Sequence, residues 1–319
     1  MKVVSDRFYI EDTMPAKQVK GIFSICPTPF DDKEEVDYES IESLVNFKVQ
    51  TGVNGLAILG FLGELHKLSN SERKAVAKTF LECAQGRLPV WVGIRALGLK
   101  GAIEQAVEAQ EIGAEAVFVA PPDAGSDDYL FKYYAEIAKS VDVPVVIHDF
   151  PASFGTEVTA AVVARLGREG GVHIIKMEEQ PVAQKISSIL DQLNDPSEMS
   201  VFGGLGGVYF LEELQRGAAG TMTGFAFPEI LVAIYQRYTA GDEQGAAQLF
   251  DKYLPLIRYE FQPKLGLALR KHIYKRRGAI KHENIRSPGM RMDDRTVREL
   301  EAIVHRVGLS LDVHGRQDV

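Results

Sequence analysis

The sequence predicts an α/β fold, a (β/α)8 TIM barrel with a C-terminal three-helix appendage. From Gly21 onward, short and nearly continuous apolar runs alternate with amphipathic helical segments, which is the pattern of parallel strands buried on both faces. Eight such units, spaced by roughly 25–30 residues, fill the ~250 residues that a TIM barrel takes. The first corner, Cys26–Phe30, lacks the glycine fingerprint that follows the first strand of a doubly wound nucleotide-binding sheet. We therefore favour the closed barrel over an open sheet.

Each unit can be placed along the chain. The predicted strands are Ile22–Cys26, Leu56–Leu59, Val90–Ile94, Ala116–Ala120, Val145–Ile147, Ile174–Ile175, Ser200–Phe202 and Thr221–Gly224. The helical patterns are Asp37–Gln50, Ser71–Gln85, Ala102–Ile112, Leu130–Ser140, Ala160–Leu166, Pro181–Leu193, Leu211–Arg216 and Pro228 to about Ala240. Ser69 or Asn70, ahead of Glu72, is a typical helix cap, and Gly52 and Gly113 follow the helices that they end.

The chain divides into three parts. Residues 1–19 form a polar N-terminal extension, residues 20–240 the barrel, and residues 241–319 a C-terminal helical domain. The candidate helices of that last part are Asp242–Tyr259, Gln262–Arg277 and Asp293–Val307.

The composition disfavours several classes of protein. The 319 residues are 45% hydrophobic and carry a net charge of −8, so we expect binding to neither nucleic acid nor membranes. Cys26 and Cys83 have no metal or redox spacing and the seven histidines are scattered, so we expect neither a metal nor another cofactor. The N-terminus lacks the apolar core of a signal peptide, and no apolar run approaches the ~18–20 residues of a membrane span. These features predict a soluble, cytoplasmic protein, and we interpret the basic stretch from Lys271 to Lys281 as a solvated face or a subunit contact.

Chemistry in this fold gathers at the C-terminal ends of the strands, so those positions are the first candidates for a site. Lys176 closes the apolar strand that contains Ile174 and Ile175. A lysine is rarely buried unless it is paired or neutral, because removing an ammonium group from water is costly. A neutral lysine can attack a ketone, whereas a charged one could form a structural ion pair with Glu178. The position alone leaves both interpretations open.

Nearly the whole barrel carries the ordered sequence blocks of a known family. The blocks are Gly21–Phe30, Gly60-Phe61-Leu62-Gly63-Glu64 with Leu68-Ser69 and Glu72-Arg73 behind it, Gly113-Ala114, the Pro151 and Gly155 corner, Ile175-Lys176 and Gly220–Gly224. In this order and spacing the chain resembles the dihydrodipicolinate synthase / N-acetylneuraminate lyase family of Schiff-base-forming, pyruvate-dependent aldolases. The resemblance implies a homotetrameric or homodimeric barrel in which Lys176 forms an imine with pyruvate or another 2-oxo acid.

The chain departs from the family pattern where protons are relayed. Phe61 and Leu62 replace two threonines of the family, although the backbone N–H groups of Leu62 and Gly63 are still expected to hold the substrate carboxylate. His148 occupies the position of the tyrosine that serves as proton shuttle, and the second tyrosine, after the fourth strand, is missing as well. The arginine that grips aspartate semialdehyde in the family falls at Ser153, which argues against dihydrodipicolinate synthase activity.

His148 is the predicted acid/base that replaces the relay. An unperturbed imidazole titrates near ~6.5, which suits proton transfer at neutral pH. The alternative is a packed, hydrogen-bonded histidine at the barrel rim. Asp149 should point the opposite way, because successive side chains of a strand alternate. Glu178 would share the face of Lys176, where its charge would stabilise the ammonium form.

The remaining predicted substrate contacts come from other strand ends. Arg95 is either an anchor for the distal end of the substrate or an ion-pair partner of Glu64 or Glu178. Gly204, in the glycine run after the seventh strand, is expected to let the backbone approach the substrate. The residues expected to line the pocket are Phe61, Thr28, Met222 and Thr223.

These predictions combine into a Schiff-base-forming lyase, an aldolase or a dehydratase, that acts on pyruvate or a 2-oxo-3-deoxy acid. Lys176 is its nucleophile and His148 its acid/base. One alternative is a diverged paralogue that binds a 2-oxo acid without turnover. A second is a structural barrel that assembles through its C-terminal helices, and a lysine kept on an apolar strand argues against it.

Overall fold

Eight parallel strands form a closed barrel in the computed structural model, which describes residues 19–123 and 125–319. Each strand pairs with the next in sequence, and the first pairs with the last. The strands are β1 (Gly21–Ile25), β2 (Gly55–Ile58), β3 (Val90–Ile94), β4 (Ala116–Val119), β5 (Val145–Asp149), β6 (Ile174–Met177), β7 (Ser200–Gly203) and β8 (Gly220–Thr223). The predicted fold class is therefore confirmed. The predicted extension, residues 1–19, lies outside the described residues except for Val19.

Helices follow the strands and cover the outside of the barrel. They are α1 (Tyr38–Thr51), α2 (Asn70–Ala84), α3 (Leu99–Glu111), α4 (Asp127–Ser140), α5 (Pro151–Phe154), α6 (Ala160–Arg165), α7 (Val182–Leu190), α8 (Phe210–Gln215), α9 (Pro228–Thr239), α10 (Glu243–Glu260), α11 (Gly266–Arg276) and α12 (Asp294–Arg306). The three helices predicted after residue 241 are present, whereas the short α5 was not predicted. Within the described residues, the helices are all too short or too polar to cross a membrane.

Alternate side chains of each strand fill the barrel interior. Phe23, Trp91 and Phe202 form an aromatic layer, in which the ring centroids of Phe23 and Trp91 lie 3.9 Å apart and those of Phe23 and Phe202 lie 5.4 Å apart. Val146 of β5 and Ile174 of β6 belong to the same inner cluster. Because side chains alternate along a strand, the residues two positions further along β5 and β6 face the C-terminal mouth of the barrel.

Buried ion pairs attach α11 to the rest of the fold. Lys271 Nζ lies 2.7 Å from an oxygen of Glu64, which follows β2, and both side chains are fully buried. Arg270 Nε lies 2.7 Å from Glu260 Oε1 at the end of α10. Breaking a buried pair leaves a charge without solvation, so these contacts hold α11 firmly against the barrel mouth.

Candidate active site

Three titratable side chains meet at the ends of β5 and β6. His148 and Lys176 lie opposite each other in the parallel ladder, two residues beyond Val146 and Ile174 of the inner cluster. Glu178 is two residues beyond Lys176 and points the same way, since it contacts both other side chains. The side chains of His148, Lys176 and Glu178 are only 4%, 3% and 8% exposed, so the group is almost completely removed from solvent.

The polar atoms of these residues are in mutual hydrogen-bonding contact. Lys176 Nζ lies 2.6 Å from Glu178 Oε2 and 3.1 Å from His148 Nε2. His148 Nε2 in turn lies 3.2 Å from the same carboxylate oxygen. Each pair is therefore close enough for direct proton transfer.

The loop after β7 fixes the carboxylate of Glu178 from its other side. Glu178 Oε1 accepts a hydrogen bond of 2.9 Å from the Leu205 N–H. A Cβ atom on Gly204 would overlap the Glu178 side chain, so only glycine fits there without a shift. Burial alone would raise the pKa of Glu178, but the charge of Lys176 and the hydrogen bonds from His148 and Lys176 outweigh it and hold the pKa at about 2. Glu178 is therefore an anion at neutral pH.

His148 is a neutral side chain in an apolar surrounding. Burial lowers its pKa to about 4, helped by the positive charge of Lys176 and opposed by the hydrogen bond to Glu178. The ring makes edge contacts with Phe118 and Phe154, at centroid distances of 5.6 and 5.0 Å. A neutral imidazole at this position is able to accept a proton at pH 7.

The loop after β2 faces this group across the barrel, because β2 lies four strands from β6. Thr28 donates a hydrogen bond of 2.7 Å to the Gly63 carbonyl oxygen, and Glu64 is held by its pair with Lys271. Within the described residues, the backbone N–H groups of Leu62 and Gly63 donate to no acceptor. Consecutive free N–H groups on a fixed loop are suited to binding a carboxylate.

A cavity of about 100 Å³ connects Lys176 and His148 with the loop after β2. It adjoins a cleft of about 1050 Å³ that lies between the barrel mouth and the C-terminal helices. The residues that line both spaces are Phe61, Leu62, Phe150, Glu178, Phe261 and Arg270. A small reactive group therefore fits beside the lysine, and the rest of a longer molecule would extend into the cleft.

Comparisons with known proteins identify the family. The family model described as the Dihydrodipicolinate synthetase family matches residues 18–307. The chain belongs to this family. It is 31% identical over 294 residues to the L-2-keto-3-deoxyarabonate dehydratase of Azospirillum brasilense, a match that covers 90% of this chain and 94% of that enzyme. It is 28% identical over 300 residues to the 4-hydroxy-tetrahydrodipicolinate synthase of Chlorobium chlorochromatii, which covers 93% of this chain and 100% of that enzyme.

A solved structure of the dihydrodipicolinate synthetase family agrees with this assignment. The dihydrodipicolinate synthase of Rhodopseudomonas palustris matches with a TM-score of 0.84 and 33% identity, over 90% of this chain and 97% of that one. Membership of the family makes the protein a lyase of the lysine-imine, Schiff-base class. The predicted family and enzyme class are thus confirmed.

Arg95, which has no counterpart in the family pattern, lies at the rim of the barrel. Its exposed guanidinium packs over the rings of Phe61 and Phe154, at 5.3 and 5.5 Å from their centroids. In the part of the chain that the structure describes, no acidic side chain pairs with Arg95. The alternative of an ion pair with Glu64 or Glu178 is therefore not formed, since those carboxylates contact lysines.

The other predicted residues take different places around the family's lysine. Thr223 lines the cavity, whereas Met222 lies in the inner cluster below it. Asp149 points away from the cavity and accepts a hydrogen bond of 2.7 Å from Lys185. The described residues contain no cluster of histidine, cysteine and carboxylate side chains that could hold a metal ion.

Three residues that line both spaces, Phe150, Phe261 and Arg270, were not predicted from the sequence. Phe261 and Arg270 belong to the C-terminal helical region, which has no strand ends to mark its functional positions. Arg270 directly precedes the basic stretch that begins at Lys271, so its composition suggested a solvated face rather than a site.

Proposed function

We propose that the protein is a dehydratase that removes water from a 2-oxo-3-deoxy sugar acid through an imine on Lys176. The observation that carries this proposal is the contact of Lys176 with two proton-transfer groups, Glu178 at 2.6 Å and His148 at 3.1 Å. The likeness to the L-2-keto-3-deoxyarabonate dehydratase supports this substrate class. Ser153, in place of the arginine that grips aspartate semialdehyde, disfavours dihydrodipicolinate synthase activity.

Imine formation begins when Lys176 loses a proton to Glu178, which is an anion within hydrogen-bonding distance. The Nζ lone pair attacks the C2 carbonyl carbon, and one proton then moves from the attacking nitrogen to the carbonyl oxygen to give a neutral carbinolamine. A second proton converts the carbinolamine hydroxyl into water, which leaves the iminium. Glu178, having accepted the lysine proton, is the nearest acid to return it.

The iminium acidifies the C3 hydrogens, and His148 is the proposed base. Removal of a C3 proton gives an enamine, whose electrons form the C3–C4 double bond as the C4 hydroxyl leaves. That hydroxyl departs as water after it takes the proton that His148 removed from C3, which returns His148 to its neutral form. Hydrolysis of the conjugated imine frees Lys176, so the substrate loses one water in all. Burial keeps His148 neutral at pH 7, so one of its ring nitrogens carries a free lone pair that can take the C3 proton.

The C1 carboxylate is proposed to bind the free N–H groups of Leu62 and Gly63, on the loop that Thr28 fixes. Phe61 and Thr223 would pack against the reacting carbons, and Gly204 would keep Glu178 in place. Arg95, at the rim, is the contact that the sequence predicts for the distal end of the substrate.

We further propose that the enzyme is cytoplasmic and assembles as a homotetramer or homodimer, as the family resemblance implies. A solved relative with a TM-score of 0.84 and 25% identity is described as a monomeric dihydrodipicolinate synthase variant. Assembly is therefore not a necessary property of the fold. Sedimentation of this protein as a monomer at micromolar concentration would contradict the proposed assembly.

The proposed function is tested by trapping the imine. Sodium borohydride with pyruvate should attach a reduced adduct to the peptide that contains Lys176, and Lys176→Met should abolish it. Turnover is then measured on a panel of 2-oxo-3-deoxy sugar acids. His148→Ala should still form the adduct, more slowly, while kcat falls by about 10²–10⁴-fold.

The outcomes separate the alternatives. A wild-type protein that is folded but forms no adduct would refute the Schiff-base proposal. An adduct without turnover on the panel would indicate the diverged 2-oxo-acid binder instead. Release of pyruvate and an aldehyde, rather than loss of water, would identify an aldolase.

A further inference from the structure

We infer that Arg270 is a specificity-determining residue, which holds the hydroxyl-bearing tail of the substrate where the cavity opens into the cleft. The inference rests on the proposed function, because it concerns the part of the 2-oxo-3-deoxy acid beyond the carbons that react at Lys176. It assigns a substrate contact to the C-terminal helices, outside the barrel strands.

Arg270 reaches the site from α11. Its side chain lines both the cavity beside Lys176 and the larger cleft. It passes close to two glycines: a Cβ atom on Gly224, just after β8, would lie 3.6 Å from Arg270 Cδ, and one on Gly266 would lie 3.4 Å from Arg270 Nη1, both at contact distance. The side chain therefore crosses from α11 to the mouth of the barrel.

The Arg270 guanidinium has N–H groups that lack a hydrogen-bond acceptor, although the residue is mostly buried. Arg270 is only 7% exposed, and its Nε donates a hydrogen bond of 2.7 Å to Glu260. Among the residues that the structure describes, its Nη1 and Nη2 groups donate to no acceptor. These groups reach the cavity and the cleft, where they can donate to an acceptor that enters.

The size of the cavity indicates which part of the substrate meets these donors. The cavity of about 100 Å³ beside Lys176 is far smaller than the cleft of about 1050 Å³ that it adjoins, so we expect the reacting carbons in the cavity and the rest of a longer acid towards the cleft. The remaining carbons must extend past the residues shared by both spaces. Among the six residues that line both spaces, Arg270 is the one with a positively charged side chain.

The surrounding charge favours hydroxyl groups over a second carboxylate. Glu260 is completely buried and balances the charge of Arg270, so the pair offers N–H donors without a net positive charge. The Glu178 anion lines the same two spaces and would repel a second carboxylate. A neutral, hydroxylated tail fits both conditions.

Arg216 provides a matched control for this inference. It is an exposed arginine directly after α8, its Nη1 donates a hydrogen bond of 3.0 Å to Ser187, and it lines neither the cavity nor the cleft. If Arg270 holds the tail, the corresponding change at Arg216 should leave substrate selectivity almost unchanged.

The experiment compares a 2-oxo-3-deoxypentonate with its 5-deoxy analogue, and uses pyruvate as a ligand with no tail. Arg270→Lys keeps a charge beside Glu260 but loses the planar fork of donors. We expect it to raise KM for the pentonate by about tenfold or more and to abolish the preference over the 5-deoxy analogue. The pyruvate concentration needed for half-maximal borohydride trapping should change by less than about twofold. In Arg216→Lys, KM for the pentonate, KM for the 5-deoxy analogue and the pyruvate concentration for half-maximal trapping should each change by less than about twofold.

Equal weakening of pyruvate and pentonate, or unchanged selectivity in a folded Arg270→Lys protein, would overturn the inference. A comparable shift of selectivity in Arg216→Lys would show that the effect is not specific to Arg270, and would overturn the inference as well. If Arg270→Lys does not fold, the double variant Glu260→Gln/Arg270→Met is used in its place, because it removes both charges of the pair. The results expected for it are the same. A missing pyruvate adduct in the wild-type protein would instead refute the proposed function on which the inference depends.

Discussion

Lys176, the proposed nucleophile, differs from an ordinary buried lysine because of the two side chains within its reach. Glu178 supplies a counter-charge at 2.6 Å, and His148 supplies a base that burial keeps neutral. Both contacts follow from strand geometry: Glu178 is two residues beyond Lys176, and His148 is its partner in the ladder between β5 and β6. The division into one anion and one neutral base gives each step of the proposed mechanism its own proton-transfer group.

Glu178→Gln should remove the proton acceptor of Lys176 while keeping the shape of the side chain. We expect kcat to fall by about 10²–10⁴-fold, because the group that accepts the lysine proton and returns it to the leaving hydroxyl is lost. Steady-state kinetics at neutral pH measures this loss. Glu179→Gln is the matched control, because Glu179 pairs with Lys185 rather than with the cavity group, and its activity should stay near wild type. Equal activity of the two variants would contradict the role of Glu178.

How far the site could be predicted depends on the distance along the chain between its parts. The lysine stands out at the end of an apolar strand, and the i to i+2 rule already placed Glu178 on its face. His148 required the family pattern, because a lone histidine on a strand has several common roles. Arg270 could not be predicted, since its contact with the cavity joins α11 to β6 and depends on how α11 packs over the mouth. No local spacing encodes that packing.

Among the elements, strands and long helices were predictable because each carries a local signal. The apolar runs located all eight strands, and a capping box fixes the start of α2: the Ser69 hydroxyl accepts from the Glu72 N–H, and the Glu72 carboxylate accepts from the Ser69 N–H. Sequence alone left Ser69 and Asn70 as alternatives for this cap, because both residue types cap well. The four-residue α5 was missed because a single turn has no periodicity to detect.

The packing of α8 against β7 depends on a buried carboxyl group. Glu213 is completely buried, and a Cβ atom on Gly203 would overlap its carboxyl group, so a glycine is required opposite it. Burial raises the pKa of Glu213 well above its ordinary value, against the lowering effect of the Gly204 N–H. Gly203 and Gly204 lead into the Leu205 N–H that holds Glu178, so this packing supports the active-site loop.

The raised pKa of Glu213 predicts a pH-dependent stability that Glu213→Gln should remove. Above the ordinary pKa of ~4.3, the unfolded chain releases this proton while the folded chain keeps it, so stability falls by about 1.4 kcal/mol per pH unit until the folded group ionises. Glutamine cannot ionise and lacks this loss. The gain in Tm of Glu213→Gln over wild type should therefore increase from pH 5 to pH 8. Glu212→Gln, at an exposed position of the same helix, should show no such trend, and an equal gain at both pH values for Glu213→Gln would contradict the argument.

At the scale of the whole molecule, the C-terminal helices complete a site that the barrel begins. The strands supply Lys176, His148 and Glu178, but one wall of the cleft comes from the C-terminal region, where Phe261 and Arg270 lie. The same region supports the loop after β2 through the buried pair of Lys271 and Glu64. That loop carries the Leu62 and Gly63 N–H groups proposed to bind the carboxylate. The stability of the fold and the binding of the substrate therefore share one structural contact.

Lys271→Met should weaken both the fold and carboxylate binding. Glu64 would lose a buried partner but keep its contact of 2.9 Å with Lys67, so we expect the free energy of unfolding in urea to fall by about 3 kcal/mol, the lower end of the range for broken buried pairs. The loop would be held less firmly, so more pyruvate should be needed for half-maximal trapping on Lys176. Lys275→Met, on the same helix, breaks a partly exposed pair with Glu283 and should cost less than about 1 kcal/mol without changing trapping. A Lys271→Met protein as stable as the Lys275→Met protein would show that α11 does not support the loop. Lower stability with unchanged pyruvate trapping would show that Lys271 anchors the helix without affecting carboxylate binding.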